Sequence, residues 1–237
     1  MKLEILYETN ELVVLNKPSG LLSIPERYDA SQPSLAEYLK RKYPGIFVVH
    51  RLDKMTSGVI MFAKNAEAHR YFSMAFENRE IHKEYTGIVL GRMTEESGTI
   101  DAPIGENKYR RGEMMVSKKG KPAITHFEVI ESFSMFSVVR FKPVTGRTHQ
   151  IRVHAQYIHH PLAADPLYGN GKPVFLSSFK KSFHLGRDDE EERPLLKRLA
   201  LHASAISFKN EKGEDVIVEA PLPKDMKALI QQLRKNG

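Results

Sequence analysis

Short apolar runs alternate with turn residues along the first part of the sequence. Runs at residues 3–7 and 12–16 flank Glu8-Thr9-Asn10, which predicts a β-hairpin closed at residues 17–20, Lys-Pro-Ser-Gly. Runs at residues 47–49 and 59–63 predict two further strands. The polar segment between them, residues 50–58, therefore lies between two strands.

Helical spacing of apolar residues occurs in four segments, at residues 35–43, 66–76, 151–158 and 223–233. Ser34 and Glu37 form a capping-box pattern before the first segment, and Pro44-Gly45 should end it. Asn65 is a candidate N-cap for the second segment. Its apolar stripe is typical of a helix that packs on a core: Ala68, Phe72, Ala75 and Phe76.

The remaining β-rich runs lie at residues 85–90, 124–130, 136–141, 205–208 and 216–218. Because short hairpins join many of these strands, we expect an α+β fold with a mostly antiparallel mixed sheet flanked by helices and loops. The sequence has no internal repeat and no Ser/Gly/Pro-rich linker, so we expect a single domain over residues 1–237. The irregular pattern predicts a long surface excursion around residues 170–200.

Composition narrows the class of protein. Of the 237 residues, 41% are hydrophobic and 27% charged, which argues against a disordered polyelectrolyte. No apolar run approaches the roughly 18 residues of a membrane span, and the N-terminus lacks a signal sequence, so we expect a cytoplasmic protein with no membrane partner. The absence of Cys excludes disulfides and cysteine zinc sites. His149 and His154 are spaced i, i+5 without an intervening Glu, so we expect no metal.

Charge is unevenly distributed along the chain. The 36 Lys and Arg residues exceed the 29 Asp and Glu residues, giving a net charge of +7. Five acids are consecutive at residues 188–192, so elsewhere 36 basic residues face 24 acids, a surplus of +12. Residues 106–122 hold six basic and two acidic residues, with Tyr109 as a stacking face. This loop or hairpin, with Lys118 and Lys119, is either a polyanion-binding element or a solvated charged loop.

The polar segment at residues 50–58 reads HRLDKMTSG. Gly58 suits a tight turn, and strand ends that lead into turns hold side chains rigidly. Asp53 is therefore a candidate fixed carboxylate. The alternative is that Asp53 only hydrogen-bonds its own turn.

Two other segments carry candidate chemistry. Tyr85 follows Lys83-Glu84 at the start of a strand, and it either offers a flat face and a hydroxyl to a base or is a core tyrosine. Arg147 and Arg152 are five residues apart at a turn-to-helix junction. They point in different directions once the helix forms, so only one should meet a given carboxylate.

Four motifs together carry a family resemblance. They are NKPSGLLSIP at 16–25, HRLDKMTSGVIMFAK at 50–64, KEY at 83–85 and TGRTHQIRVHAQYIHHPLAADPLYG at 145–169. In this order they resemble the RluA family of RNA pseudouridine synthases. Members isomerise uridine in RNA by breaking the bond between base and ribose, turning the uracil and rejoining it through carbon. The resemblance implies the catalytic-domain fold of that family, structured ribosomal or transfer RNA as the partner, and neither cofactor nor metal.

The resemblance also implies catalytic roles. Asp53 falls on the essential aspartate of the family, which acts on the ribose as a nucleophile or a base. Arg152 matches the arginine that pairs with this carboxylate. Tyr85 matches the tyrosine that stacks on the target uracil and assists deprotonation at carbon. Arg51 is expected to fill the stack that the extruded nucleotide vacates.

Other residues of the motifs are expected to bind or position RNA. His50 and Thr56 should orient the catalytic loop through hydrogen bonds. Leu201 packs against the target or is a plain core leucine. Arg147 and Lys17 contact phosphate or lie on exposed surface.

One departure from the family concerns architecture. Many members carry an extra N-terminal RNA-binding domain, whereas the NKPSG motif here begins at residue 16. We therefore expect a short form that acts as a monomer and positions RNA with its catalytic domain alone.

Overall fold

The computed structural model describes residues 3–26, 31–185 and 190–237. Within these ranges the strands are β1 (Glu4–Glu8), β2 (Leu12–Lys17), β3 (Phe47–Val48), β4 (Ser57–Ala63), β5 (His82–Leu90), β6 (Ser97–Asp101), β7 (Ile104–Glu106), β8 (Met114–Val116), β9 (Ile124–Ser132), β10 (Phe136–Pro143), β11 (Leu201–Lys209) and β12 (Asp215–Glu219). The helices are α1 (Leu35–Lys42), α2 (Ala66–Glu77), α3 (Gln150–Tyr157) and α4 (Lys224–Asn236), with a 3-10 turn at Leu176–Ser178.

The chain forms two compact units. The first comprises residues 1–85 and 202–221, and the second comprises residues 86–201 and 222–237. In the first unit the strand order is β1-β2-β4-β11, with β3 beside β4 and β12 beside β11. β4 and β11 run parallel, whereas β2 is antiparallel to β1 and β4, and β12 is antiparallel to β11. The predicted hairpins at both ends of this sheet are confirmed. The expectation that residues 17–20 close the first hairpin is wrong, because its turn lies between Glu8 and Leu12 and residues 17–20 follow β2.

Strand periodicity explains the core of the first unit. Every residue of β4 is buried, and successive side chains of a strand point to opposite faces. Val59 and Met61 pack with Ala68 and Phe72 of α2 on one face. Ile60 and Phe62 lie in a second cluster with α1 on the other face: Leu35, Ala36 and Leu39. The continuous apolar run of β4 thus reflects helices on both sides of it.

Local signals in the sequence set the starts of these helices. Ser34 and Glu37 form the predicted capping box of α1, in which the Ser34 hydroxyl accepts from the Glu37 N–H and the Glu37 carboxylate accepts from the Ser34 N–H. The Asn65 side chain accepts from the Ala68 N–H and begins α2. Both predicted N-caps are confirmed.

The second unit has the strand order β5-β10-β9-β6, and β9 is antiparallel to both β10 and β6. β5 crosses the division between the units, since residues 82–85 belong to the first. The apolar stripe of α4 is buried against this sheet as predicted: Met226, Leu229, Ile230 and Leu233. β7 and β8 form a separate hairpin, which we call the basic hairpin and define as residues 104–121.

The segment around residues 170–200 is anchored at both ends. Val174 and Leu196 exchange backbone hydrogen bonds and are both buried in the core that holds α4. Residues 188 and 189 of the acidic run lie outside the described residues. The surface excursion around residues 170–200 stays a prediction.

The fold class expected from the sequence is confirmed as α+β, with a mixed and mostly antiparallel sheet and flanking helices. Among the described residues no helix is long and apolar enough to cross a membrane. The expectation of a single catalytic domain stays a prediction.

Candidate active site

Asp53 lies in a turn between β3 and β4. The Thr56 N–H donates to the Asp53 carbonyl over 3.1 Å, which closes the turn. Leu52 is buried, Asp53 is half-buried, and Arg51 and Lys54 are exposed. The turn therefore presents the Asp53 carboxyl at the surface while its neighbour Leu52 anchors the backbone in the core.

A segment at residues 17–23, which we call the cradle, supports this turn. The Ser23 hydroxyl donates to the Leu52 carbonyl (2.7 Å) and accepts from the Leu52 N–H (3.0 Å). The Ser19 hydroxyl donates to the Met55 carbonyl over 2.6 Å. The Gly20 N–H donates to the Lys54 carbonyl over 2.8 Å. Backbone groups on both sides of Asp53 are thus fixed by the NKPSGLLS part of the first motif.

Lys17 is the buried centre of the cradle. Its side chain is 0% exposed, and Nζ donates to the carbonyl oxygens of Pro18 (3.1 Å), Leu21 (2.7 Å) and Lys54 (3.1 Å). An ammonium group has three donors, and three carbonyls take them. Both expectations for Lys17, a phosphate contact and an exposed surface role, are therefore wrong, because the ammonium is enclosed by backbone of its own unit.

His50 ties the start of the polar segment to β4. Its Nε2 accepts from the Met61 N–H over 3.0 Å, and its ring packs on Phe76 with centroids 4.8 Å apart. Burial, together with a smaller contribution from the nearby charge of Lys83, lowers the pKa of His50 to about 3. His50 is therefore a neutral acceptor at physiological pH.

Thr56 contributes to the turn through its backbone. Its N–H donates to Asp53, but its buried hydroxyl has no hydrogen-bond partner among the described residues. The expectation that the Thr56 side chain orients the loop by hydrogen bonds is therefore wrong for this structure. The cradle performs that role instead.

Tyr85 and Lys83 lie on one face of β5, because residues i and i+2 of a strand share a face. Tyr85 is half-buried against the cluster that contains Leu52. Burial raises the pKa of Tyr85 well above its usual range, and the nearby negative charge of Asp53 raises it further. The charge of Asp53 therefore acts on the Tyr85 hydroxyl, while a shared role of the two residues in catalysis stays a prediction.

Sequence reasoning gave Lys83 no role. Its ammonium lies 5.9 Å from the centroid of the Phe76 ring, and burial lowers its pKa. The sequence spacing could have indicated it, since Lys83 is two residues before Tyr85 and therefore lies on the same face of the strand. A half-buried cation therefore lies on the same strand face as Tyr85.

Gly58 is required by packing between strands. It has φ +112°, and a Cβ there would lie 2.1 Å from the Ala203 carbonyl oxygen of β11. The expectation of a tight turn at Gly58 is wrong, since Gly58 lies inside β4 at the close approach to β11. Beside it the Ser57 hydroxyl bonds to Nδ1 of His202 over 3.0 Å, which joins the same two strands.

In the second unit, Arg152 is bonded to Asp165. The Arg152 Nε and Nη2 atoms each lie 2.8 Å from one Asp165 carboxylate oxygen, and the two side chains are 5% and 0% exposed. Sequence reasoning did not single out Asp165, although it lies in the DPLYG end of the fourth motif. The implied pairing of Arg152 with Asp53 stays a prediction.

Arg147 points elsewhere, as its spacing from Arg152 predicts. It is half-buried, and its Nε donates to the Pro122 carbonyl over 3.0 Å. Leu201 is 3% exposed at the start of β11, which favours the core-leucine alternative. A contact of Arg147 or Leu201 with RNA stays a prediction.

The basic hairpin presents its charges to solvent. Lys118 and Lys119 are exposed, and Tyr109 near the tip is 94% exposed. The exposed Arg110 side chain lies 3.7 Å from that of the half-buried Glu113, which makes a weak ion pair. The predicted hairpin is confirmed, and its cations are accessible to a polyanion.

The histidines at the start of α3 and within it serve as hydrogen-bond partners. His149 Nδ1 lies 2.8 Å from the Tyr168 hydroxyl. His154 bonds to the Thr125 hydroxyl and the Ala102 carbonyl, both at 2.9 Å. Among the described residues no three His, Asp or Glu side chains are grouped as metal ligands would be.

Comparison with known proteins gives a concordant set of relatives. Residues 11–157 match the family model of RNA pseudouridylate synthases. The whole chain is 40% identical to the uncharacterized RNA pseudouridine synthase YlyB of Bacillus subtilis, covering 75% of it. Over 99% of its length the chain is 37% identical to ribosomal large subunit pseudouridine synthase D of Vibrio parahaemolyticus, covering 71% of it.

A solved structure shows the same fold. Human RNA pseudouridylate synthase domain containing 1 superposes with a TM-score of 0.71 at 29% identity, over 98% of this chain and 95% of that one. The fold, the family match and the relatives define one class of RNA-modifying isomerase. The chain belongs to the RluA family of RNA pseudouridine synthases, as its motifs indicated.

Proposed function

We propose that this enzyme isomerises specific uridines of structured RNA, and that large-subunit ribosomal RNA is its substrate class. The relatives at 35–40% identity include several that are named ribosomal large subunit pseudouridine synthase D. Transfer RNA is the alternative substrate. A cytoplasmic location and a monomeric state are parts of the same proposal.

The reaction makes defined demands on the site. The bond between N1 of uracil and C1′ of ribose breaks, a bond between C5 and C1′ forms, C5 loses its proton and N1 gains one. A carboxylate is needed to act on the ribose, as a nucleophile at C1′ or as a base at C2′. Asp53 is the residue to which we assign this role.

The observation that carries the proposal is the rigid presentation of Asp53. The cradle binds backbone groups of Leu52, Lys54 and Met55, so the backbone that carries the Asp53 side chain is held in place. A group that is already fixed loses little entropy when the reacting geometry forms. The alternative that Asp53 serves only its own turn has less support, since the turn is closed by backbone and by the cradle.

The state of Tyr85 favours stacking over base catalysis. Burial and the charge of Asp53 both raise its pKa, so its hydroxyl keeps its proton. A neutral tyrosine offers a flat face on which uracil can stack. Arg152 supplies the cation that the resemblance pairs with Asp53.

RNA binding is assigned to exposed cations. Lys118 and Lys119 on the basic hairpin are placed to neutralise phosphates, and Tyr109 is placed to stack on an unpaired base. Arg51 is exposed beside Asp53, where its guanidinium can fill the stack left by an extruded uridine.

Replacement of Asp53 by Asn tests the proposed chemistry. Asp53→Asn should abolish release of tritium from a large-subunit ribosomal RNA transcript labelled at C5 of uridine, because the amide can neither attack C1′ nor accept a proton. Binding of the same transcript should change little. The exposed Asp215→Asn is the matched control and should retain activity. Turnover by Asp53→Asn would refute the assignment.

The substrate class is tested separately in cells. Pseudouridine should disappear from one or more sites of large-subunit ribosomal RNA when the gene is deleted, and should return with the wild-type gene but not with Asp53→Asn. Loss confined to transfer RNA would overturn the ribosomal assignment and leave the proposed chemistry intact.

A further inference from the structure

A buried tyrosine of the second unit lies where the basic hairpin meets Arg152. Tyr168 is 3% exposed, and its hydroxyl accepts from the Met114 N–H at the start of β8 over 2.7 Å. The same hydroxyl lies 2.8 Å from His149 Nδ1 at the N-terminus of α3. One hydroxyl group thus joins the backbone of the hairpin to the start of the helix that carries Arg152.

The ring and backbone of Tyr168 contact the other side of this arrangement. The Arg152 guanidinium carbon lies 4.9 Å from the centre of the Tyr168 ring, a cation–π contact. The Tyr168 N–H donates to the Asp165 carboxylate over 3.1 Å, and the same carboxylate accepts from the Arg152 guanidinium. Tyr168 therefore touches the hairpin with its hydroxyl, and Arg152 and its partner with its ring and backbone.

Packing fixes the tyrosine between these contacts. Its side chain lies in a small apolar cluster with Ile104, Ala123 and Val153, and Met114 packs against that cluster. The cluster contains residues of the hairpin and of α3, so a change of hairpin position would disturb it. Burial raises the pKa of Tyr168, so the hydroxyl remains protonated and can serve both partners.

We propose that Tyr168 is a positioning residue that holds the basic hairpin at a fixed distance from Arg152. RNA that is bound by the hairpin is then correctly positioned relative to the catalytic arginine. The inference rests on the proposed function. It gives the DPLYG end of the fourth motif a role in substrate placement. The hydroxyl serves RNA binding, whereas the ring and the Asp165 contact hold Arg152.

Tyr168→Phe separates these roles, because it removes the hydroxyl and keeps the ring. The Met114 N–H loses its acceptor and the hairpin loosens, so KM and Kd for a large-subunit ribosomal RNA transcript should rise about three- to tenfold, the range expected for one lost hydrogen bond. The value of kcat at saturating RNA should not change. Hydrogen exchange at the Met114 amide of the RNA-free protein should become faster.

Tyr71→Phe is the matched control. The Tyr71 hydroxyl also bonds to backbone, although as a donor, to the carbonyls of Lys209 (3.3 Å) and Asn210 (3.2 Å), and it lies in the first unit. This variant should leave KM, Kd and exchange at Met114 unchanged. Equal KM and Kd for Tyr168→Phe and wild type would overturn the inference, as would an equal rise in Tyr71→Phe.

The two proposals fail in different ways. If the wild-type protein releases no tritium from the transcript, the proposed function is wrong for that RNA, while Kd and Met114 exchange still decide the role of Tyr168 in holding the hairpin. If wild type is active and Tyr168→Phe lowers kcat while KM and Kd stay constant, Tyr168 acts on Arg152 alone and its coupling to the hairpin is refuted.

Discussion

The cradle of the Asp53 turn and the basic hairpin both contain lysines, but the lysine of the cradle and those of the hairpin have opposite environments. Beside the Asp53 turn, Lys17 is fully buried and its ammonium donates to backbone carbonyls of the turn and its cradle. On the hairpin, Lys118 and Lys119 are exposed to solvent. A cation in the first region shapes the protein, whereas a cation in the second is available to phosphate.

This difference shows that charge in a motif does not by itself indicate RNA binding. An ammonium that is enclosed by carbonyls cannot reach a phosphate, and its removal leaves buried acceptors unsatisfied. An exposed ammonium contributes little to folding but can release counterions when RNA binds. The two regions should therefore respond differently to the same substitution.

The largest expected effect is on stability. Lys17→Met should lower the free energy of unfolding by about 3 kcal/mol, because three carbonyl oxygens in the cradle lose their donor. Lys118→Met, the same change on the hairpin, should alter it by no more than about 0.5 kcal/mol. Chemical denaturation of both variants measures this. Equal stabilities would mean that the burial of Lys17 is not energetically important.

The second effect is on RNA binding. Lys118→Glu with Lys119→Glu should weaken binding and reduce the slope of log Kd against log salt by about one for each phosphate that is no longer neutralised. Lys224→Glu with Lys227→Glu, at exposed positions of α4, changes the net charge equally and should leave the slope as in wild type. The measurement is Kd for RNA as a function of salt concentration, made for both double variants and for wild type. An unaltered slope in the hairpin variant would show that the hairpin does not touch RNA.

The smallest expected effect is on the pH dependence of stability, through His50, which anchors the Asp53 segment. The pKa of His50 is about 3 in the folded protein and 6.5 in the unfolded chain, so the unfolded chain binds the proton first as pH falls. The stability that His50 contributes is complete above pH 6.5 and is lost as pH falls toward 3. At pH 5.5 the loss should be about 1 kcal/mol.

His50→Gln isolates this contribution, since Gln retains an acceptor for the Met61 N–H but does not titrate. The pH dependence of unfolding free energy in the variant, subtracted from that of wild type, should show a single loss below pH 6.5. A flat difference would mean that His50 binds its proton as easily in the folded protein as in the unfolded chain.

Local sequence signals predicted much of the fold. The capping box joins Ser34 and Glu37, which are three residues apart. The Asn65 cap likewise joins residues three apart, since its side chain accepts from the Ala68 N–H. Strand β6 at Ser97–Asp101 was missed, because its pattern is short and contains Gly98. Its pairing with β9 supplies the hydrogen bonds that the local sequence does not predict.

The candidate site divides in the same way. Asp53, Tyr85 and Arg152 were predicted from motifs, and the charge of Asp53 adds to the effect of burial in raising the pKa of Tyr85. Their joint role in catalysis stays a prediction. Sequence reasoning did not find Asp165 as the partner of Arg152, 13 residues away. Many carboxylates lie at such distances from an arginine along a chain, and only burial in the folded protein decides which of them pairs with it.

The sequence by itself determined the family, the α+β class, the helix starts and the residues that carry the proposed chemistry, because these depend on short-range pattern and residue type. Tertiary structure decided which cations are buried, why position 58 is Gly, and which groups hold Arg152 and the hairpin. Each of these depends on contacts between residues far apart in the chain, as between Gly58 and Ala203 or Met114 and Tyr168. Burial and close approach arise only when the strands are packed together.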